Sequence, residues 1–179
     1  MADRTAHWVA LLRGVNIGNV RIRMADLADA LTDAGFEAVR TVLASGNVVL
    51  TADGDAGSIA ARVSDVIRDR FGYDITVIVV PMEAVRRAIE GYPFARAADR
   101  HAYVAFGTAP SVAAELAEAA GDLDPAVERI QVDGELLYWD APKGETLTTA
   151  FGRQYGKRQA SGAVTTRNLN TLEKILAAA

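Results

Sequence analysis

The chain contains no cysteine, which excludes disulfides, thiolate nucleophiles and cysteine-ligated zinc. Its only histidines are His7 and His101, too few for a histidine-rich metal centre, so neither a metal nor a cofactor is expected. Long apolar runs are also missing. Stretches such as Val77–Met82 fall far below the roughly 20 residues that a membrane helix needs. The opening M-A-D-R-T-A-H lacks the apolar segment of a secretion signal. A soluble cytoplasmic protein with no membrane partner is the expectation. Acidic residues are absent from two windows, between Asp3 and Asp26 and between Glu145 and Glu173. The first holds Arg4, Arg13, Arg21 and Arg23, and the second Arg153, Lys157, Arg158 and Arg167. The net charge is nevertheless −4, which argues against a protein coated in nucleic acid.

Half of the 179 residues are apolar and 23% are charged. That composition supports a real core, in one ordinary domain or two small ones, and argues against general disorder. Periodicity gives the order of elements. His7–Arg13 reads as a strand, and Met24, Leu27, Leu31 and Ala34 mark a helix over Arg23–Ala34 that Gly35 ends. Glu37–Leu43 and Asn47–Ala52 read as a hairpin around Ser45-Gly46. Ser58 is a candidate cap for a helix carrying Ile59, Val63, Val66, Ile67 and Phe71 before Gly72. Ile75–Val80 reads as a strand.

Met82–Glu90 reads as a short helix, and the same order then begins again. His101–Gly107 is a strand and Ser111–Ala120 a helix capped by Ser111. Val127–Val132 and Glu135–Asp140 form a second hairpin, in which Gly134 aligns with Gly46 and Leu136 with Val48. Thr146–Tyr155 supplies a helix, Ala163–Thr166 a strand and Asn168–Leu176 a closing helix. The expected fold is α+β: two tandem ferredoxin-like βαββαβ units with a short linking helix and a C-terminal helix. Residues 1–80 form the first unit, 81–100 the helix and connector, and 101–179 the second unit with the C-terminal helix.

Three segments carry a family resemblance. Leu11–Asn16 (L-L-R-G-V-N), Ser45–Val48 (S-G-N-V) and Thr165–Thr171 (T-T-R-N-L-N-T) occur in the order and spacing of a bacterial family, domain of unknown function 1697. The resemblance runs from about Trp8 to Leu176. It implies a cytoplasmic protein with a duplicated ferredoxin-like fold, and it implies no activity. Asn19–Arg23 departs mildly from the family pattern, carrying arginines where a lysine is expected.

The candidate ligand-binding residues fall in three places. Arg13, Gly14 and Asn16 follow the first strand, where an arginine fork and glycine-freed N–H groups suit a phosphate or carboxylate. The spacing Gly14-Val-Asn-Ile-Gly18 fits neither a P-loop nor a dinucleotide fingerprint. Ser45 and Asn47 flank a hairpin glycine and could serve as turn chemistry alone. Lys157, Arg158, Thr166, Arg167 and Asn168 surround the start of the last helix, whose free N–H groups favour anions. Thr166 or Asn168 can cap that helix. The first reading is therefore a binding protein for a small anionic or phosphorylated ligand, nucleotides and nucleic acid included, at a basic corner built from both chain ends. An enzyme acting on such a ligand and a protein-interaction module remain as alternatives.

Catalytic residues are unassigned. Ser45 has no visible base, and the carboxylates show no acid–base pair spacing. An RNA-recognition sheet is less favoured. The first unit lacks stacking aromatics, and Tyr103, Tyr138 and Trp139 of the second, though suggestive, are of a kind that more often belongs to a core.

Overall fold

The computed structural model describes residues 6–179, so Arg4 lies outside the described residues. Two antiparallel four-stranded sheets, each from a β-α-β-β-α-β run, make the fold α+β with an internal duplication. Contacts group the chain through Arg87 with Thr171–Ala179 as one unit, and Ala88–Asn170 as the other. The first unit is therefore discontinuous in sequence, whereas the sequence places its end near residue 80 and the last helix in the second unit. No helix among the described residues is long and apolar enough to cross a membrane.

In the first unit β1 (Ala6–Leu12), α1 (Met24–Asp33), β2 (Glu37–Val42), β3 (Asn47–Ala52), α2 (Ala56–Phe71) and β4 (Val77–Pro81) give sheet order β2-β3-β1-β4. Alternation sends Ala10, Leu12, Val48, Leu50, Val77 and Val79 to one sheet face, against Leu27 and Leu31 of α1 and Ile59, Val63 and Ile67 of α2. Val9, Leu11, Val49 and Ile78 alternate with them and are buried as well. Asp55, not Ser58, is the N-cap of α2. Its carboxylate accepts from the Ser58 N–H at 2.9 Å while the Ser58 hydroxyl meets the Asp55 N–H, a reciprocal box. These hydrogen bonds, led by the Ser58 N–H, hold the Asp55 carboxyl below its ordinary range. Gly72 ends α2 in the left-handed conformation that the sequence suggests.

After α3 (Met82–Glu90), the second unit places β5 (Arg100–Gly107), α4 (Val112–Ala120), β6 (Arg129–Asp133), β7 (Leu136–Pro142), α5 (Ala150–Ala160) and β8 (Val164–Asn168) in order β6-β7-β5-β8; α6 (Leu169–Ala177) follows. Its core joins Ala105, Leu137, Trp139, Ala141 and Val164 to Val112, Ala113 and Leu116 of α4 and Phe151 and Tyr155 of α5.

Three further expectations need correction. Ser111 makes no side-chain cap to α4. α5 begins at Ala150 rather than Thr146, because the Thr149 hydroxyl takes the Gly152 N–H at 3.1 Å and starts the helix there. The hairpin alignment slips by one residue. Val48 pairs with Ala10 and Leu137 with Ala105, all on the helix-covered faces, so Val48 matches Leu137 and not Leu136. The turns cause the slip. The first loop fills positions 43–46 and closes on the Val42–Asn47 pair, while Gly134-Glu135 closes on Asp133–Leu136.

Candidate functional site

The sequence's candidates fall into two sets. Arg13, Gly14, Asn16, Ser45 and Asn47 belong to the first unit, and Lys157, Arg158, Thr166, Arg167 and Asn168 to the second.

In the first unit, the backbone N–H of Arg13 extends the sheet to the Thr76 carbonyl at 3.0 Å. Gly14 and Asn16 take positive φ of 75° and 58°, a conformation asparagine tolerates. The Asn16 side chain is a clasp. Its Oδ1 accepts from the Ile22 N–H at 3.0 Å, and its Nδ2 donates to the carbonyls of Ile22 at 3.1 Å and Ala44 at 2.8 Å. This brings the loop after β1 to the β2–β3 hairpin, and it occupies Asn16. Asn47 is buried and donates to the Val42 carbonyl at 2.8 Å and Ser45 Oγ at 3.1 Å, fixing the turn. Gly46 is required there: a Cβ would lie 2.8 Å from Leu12 Cβ, at φ +84°. Arg13 differs from these neighbours, because its Nε is buried with no hydrogen-bond partner.

In the second unit, Lys157 and Arg158 lie in the last turn of α5, where cations suit the helix dipole. Arg158 is paired with Glu115 at 2.6 Å. Arg167 is buried and donates to Thr165 Oγ1 at 2.8 Å and the Thr166 carbonyl at 2.9 Å. Burial lowers its pKa to about 10, so it remains a cation at neutral pH. Asn168 Oδ1 accepts from the Asn170 N–H at 3.0 Å and caps the start of α6. Thr166 sits within β8 and meets the Tyr155 hydroxyl at 3.1 Å, so it is not that cap.

Sequence reasoning missed a cavity of about 310 Å³ in the second unit. Two of its walls are Tyr103 and Trp139, cross-strand partners on β5 and β7. Their rings lie 5.5 Å apart at 37°, and Trp139 lies 5.5 Å from Tyr155 of α5. Gln159, one turn beyond Tyr155, donates to its hydroxyl at 3.1 Å, and Thr166 Oγ1 meets the same hydroxyl. Thr146 and Leu147 close the cavity from the loop before α5. Leu147 is 58% exposed. Burial pushes the Tyr103 hydroxyl above its ordinary pKa, aided by Tyr155 and opposed by a hydrogen bond with Thr146.

Two residues outside the cavity set its shape. Gly152 lets the loop approach α5, since a Cβ there would fall 1.9 Å from the Thr146 carbonyl oxygen. Glu128, buried at 2% exposure, accepts from Trp139 Nε1 at 3.1 Å and from the Phe151 N–H at 2.8 Å. It therefore holds an aromatic wall and the first turn of α5 at once.

The period-two pattern of the strands is the signal that could have found the walls, because it puts Tyr103 and Trp139 on one face. Tyr138 points to the other face, where Tyr92 packs edge-on against it at 5.9 Å. Both Tyr138 and Trp139 are essentially fully buried. The sheet therefore offers no open aromatic platform of the RNA-recognition kind. Among the described residues no group of three or more His, Asp or Glu is placed to hold a metal ion.

The fold and the cavity together define a duplicated α+β protein with a small-molecule-sized recess in one unit. A family model described as "Protein of unknown function (DUF1697)" matches residues 5–138, and the chain belongs to this family. The structure is similar to that of the conserved bacterial protein SP0830 from Streptococcus pneumoniae, with a TM-score of 0.77 at 20% identity. The match covers 97% of this chain and 98% of that one, a likeness of fold. No curated protein matches the sequence.

Proposed function

We propose that this protein binds a small molecule in the cavity of its second unit, and that the cavity serves recognition rather than acid–base chemistry. The observation that carries this reading is the lining: three aromatic rings and a hydrogen-bonded Gln159–Tyr155–Thr166 chain around about 310 Å³. Concave, mostly apolar walls with a few convergent polar groups are the usual make-up of a ligand pocket. The titratable lining groups are tyrosines, and Tyr103 is held protonated at neutral pH, so it acts as a hydrogen-bond group and not as a base. A bacterial cytoplasmic setting fits the short apolar runs and belongs to this proposal.

Trp139 reports on the cavity directly. In a Trp8→Phe variant, which leaves Trp139 as the remaining tryptophan, a small-molecule panel should produce a saturable emission change. Gln159→Phe, which places a bulky ring in the recess without adding a tryptophan, should abolish it. A panel that never perturbs Trp139, or a change that survives the filled recess, would refute the reading.

A second reading concerns an anionic or phosphorylated ligand held by Arg13 beside Gly14 in the first unit. It is favoured by the buried, unpartnered Nε of Arg13 and by the acid-free window around it. Inorganic phosphate at about 100 times its dissociation constant should then stabilise the protein by about 2.7 kcal/mol. Arg13→Ala should remove that gain. A thermal midpoint indifferent to phosphate would dismiss this reading without touching the first.

A further inference from the structure

We infer that strand β6 of the second unit pairs with β6 of a second copy of this chain, antiparallel and centred on Gln131. The inference stands apart from the cavity reading. Strands β2, β4, β6 and β8 end the two sheets, and they differ in how far they invite another strand. β2 has an irregular register between Glu37 and Arg40, with Ala38 at φ 48°, a bulge of the kind that blunts an edge. β4 and β8 are largely buried. β6 keeps a regular register against β7 over its five residues, and its Gln131, Val132 and Asp133 are exposed. Among the described residues no strand pairs with its outer side. An open, regular edge is a template for a further strand.

Backbone phase says which groups that edge offers. Lys143 N–H, just past β7, bonds to the Asp99 carbonyl on the β5 side. Alternation along β7 then turns the backbone groups of Asp140, Tyr138 and Leu136 toward β6. Their partners there are Arg129, Gln131 and Asp133. The N–H and C=O groups of Ile130 and Val132, lying between those positions, therefore point away from β7. In an antiparallel pair centred on Gln131, Ile130 of each copy faces Val132 of the other. Each such pair exchanges two backbone bonds, so the two-fold axis gives four.

The side chains choose a second copy as the occupant. Arg129-Ile130-Gln131-Val132-Asp133 reads basic, apolar, amide, apolar, acidic, so reversing it sets each residue opposite its complement. Arg129 meets Asp133, Ile130 meets Val132 and Gln131 meets Gln131, which is the self-complementarity that a two-fold interface requires. Opposite charges directly across a pair of strands stabilise it, and like charges oppose it. Faces agree as well. Arg129, Gln131 and Asp133 share one sheet face, while Ile130 and Val132 share the helix-covered one, across from Trp139 and Leu137. Val132, 36% exposed, would be covered by the Ile130 side chain of the other copy. Arg129 directs Nε and Nη2 to Asp140 Oδ2. A guanidinium carries five N–H donors, so Nη1 remains for Asp133.

The test is sedimentation equilibrium of the full chain from about 5 µM to about 500 µM, a range that reaches the weak affinities of small interfaces. The mean mass should climb with concentration from that of one chain toward that of two. Asp133→Arg sets like charges across both ends of the pair, and Val132→Pro removes an outward N–H while leaving the β7 ladder intact. Each should weaken association about tenfold or more, with folding checked by circular dichroism. Should Val132→Pro fail to fold, Asp133→Arg, in an exposed position beside the turn, carries the test. Register is read by cross-linking. The chain has no cysteine, and at the axis the two Gln131 Cα atoms would form a non-hydrogen-bonded pair about 4.5 Å apart, within disulfide reach. Gln131→Cys should therefore oxidise to a covalent dimer far faster than Asp53→Cys, an exposed position in the first unit. A single-chain mass at every concentration overturns the inference. So does a dimer that Asp133→Arg leaves intact, or a Gln131→Cys protein that cross-links no faster than Asp53→Cys.

Discussion

Glu128 and Asp140 are the two carboxylates that the second unit buries most deeply, at 2% and 1% exposure, and each is held by a different kind of partner. Glu128 takes an indole N–H and a backbone N–H. Replacing it by alanine leaves both donors buried without acceptors, a loss of about 3 kcal/mol at roughly 1–3 kcal/mol for each stranded group. Glu128→Gln keeps one carbonyl acceptor and should lose less. Urea unfolding will rank the two, and Trp139 emission should shift to the red in the alanine variant. Asp140 instead meets two guanidinium groups, Arg100 at 2.9 Å and Arg129 at 2.7 Å. Burial alone would raise its pKa, but hydrogen bonds from Arg100 and Arg129 outweigh that and hold it below the ordinary value. A carboxyl lowered on folding stabilises the native state above its unfolded pKa of about 3.9, and the gain disappears as pH falls through that region. Asp140→Asn should therefore be clearly less stable at pH 7. The gap to the unmodified protein should close below about pH 4. Parallel urea midpoints across that range decide it, and a gap independent of pH would contradict the assignment.

Helix α5 shows how far an element can be read from its residues. Its apolar positions and basic end are visible in the sequence, yet its start is not. Thr149 caps it through Gly152 N–H, and the loop before it is set by how closely Thr146 approaches Gly152. The two glycines of α5 should consequently respond in opposite directions. Alanine is favoured over glycine within a helix by about 1 kcal/mol. At Gly156 a Cβ meets nothing within 4 Å, so Gly156→Ala should stabilise by up to about that amount. At Gly152 the Cβ would strike backbone. Gly152→Ala should then destabilise by about 1–3 kcal/mol, in the range of overpacked sites, and open the Thr146 side of the cavity. Differential scanning calorimetry of the pair is the check. The same contrast explains the hairpins. Short apolar and β-branched runs bounded by turn residues made all eight strands legible, because that composition is a local property. The one-residue slip between Gly46 and Gly134 was not legible, since loop length depends on Gly46 seating against Leu12 from another strand. The partners of candidate side chains were hidden for a similar reason. Asn16 and Asn47 are polar residues at turns, and only the tertiary partners Ile22, Ala44 and Val42 reveal that their hydrogen bonds are already committed.

At the scale of the whole chain, the duplication was visible as a repeated order of elements, but the closing segment was not visible as part of the first unit. Thr171–Ala179 groups with the N-terminal unit, and Arg40 Nη1 reaches the Ala178 carbonyl at 3.4 Å. Leu172 and Ile175 within it are fully buried. A helix that belongs to a unit from which it is separated by more than 80 residues of chain ties that unit's stability to the far end of the sequence. Local openings follow such cooperative groupings, and hydrogen exchange resolves them segment by segment. Leu172→Ala removes a buried side chain of a class that typically contributes about 2–5 kcal/mol. Exchange should accelerate first and most in β1 and β3 of the first unit. Peptides from β5 and β7 should retain more of their protection. If the β5 and β7 amides accelerate as much as those of β1 and β3, the closing helix does not belong energetically to the first unit, and the two units open as one.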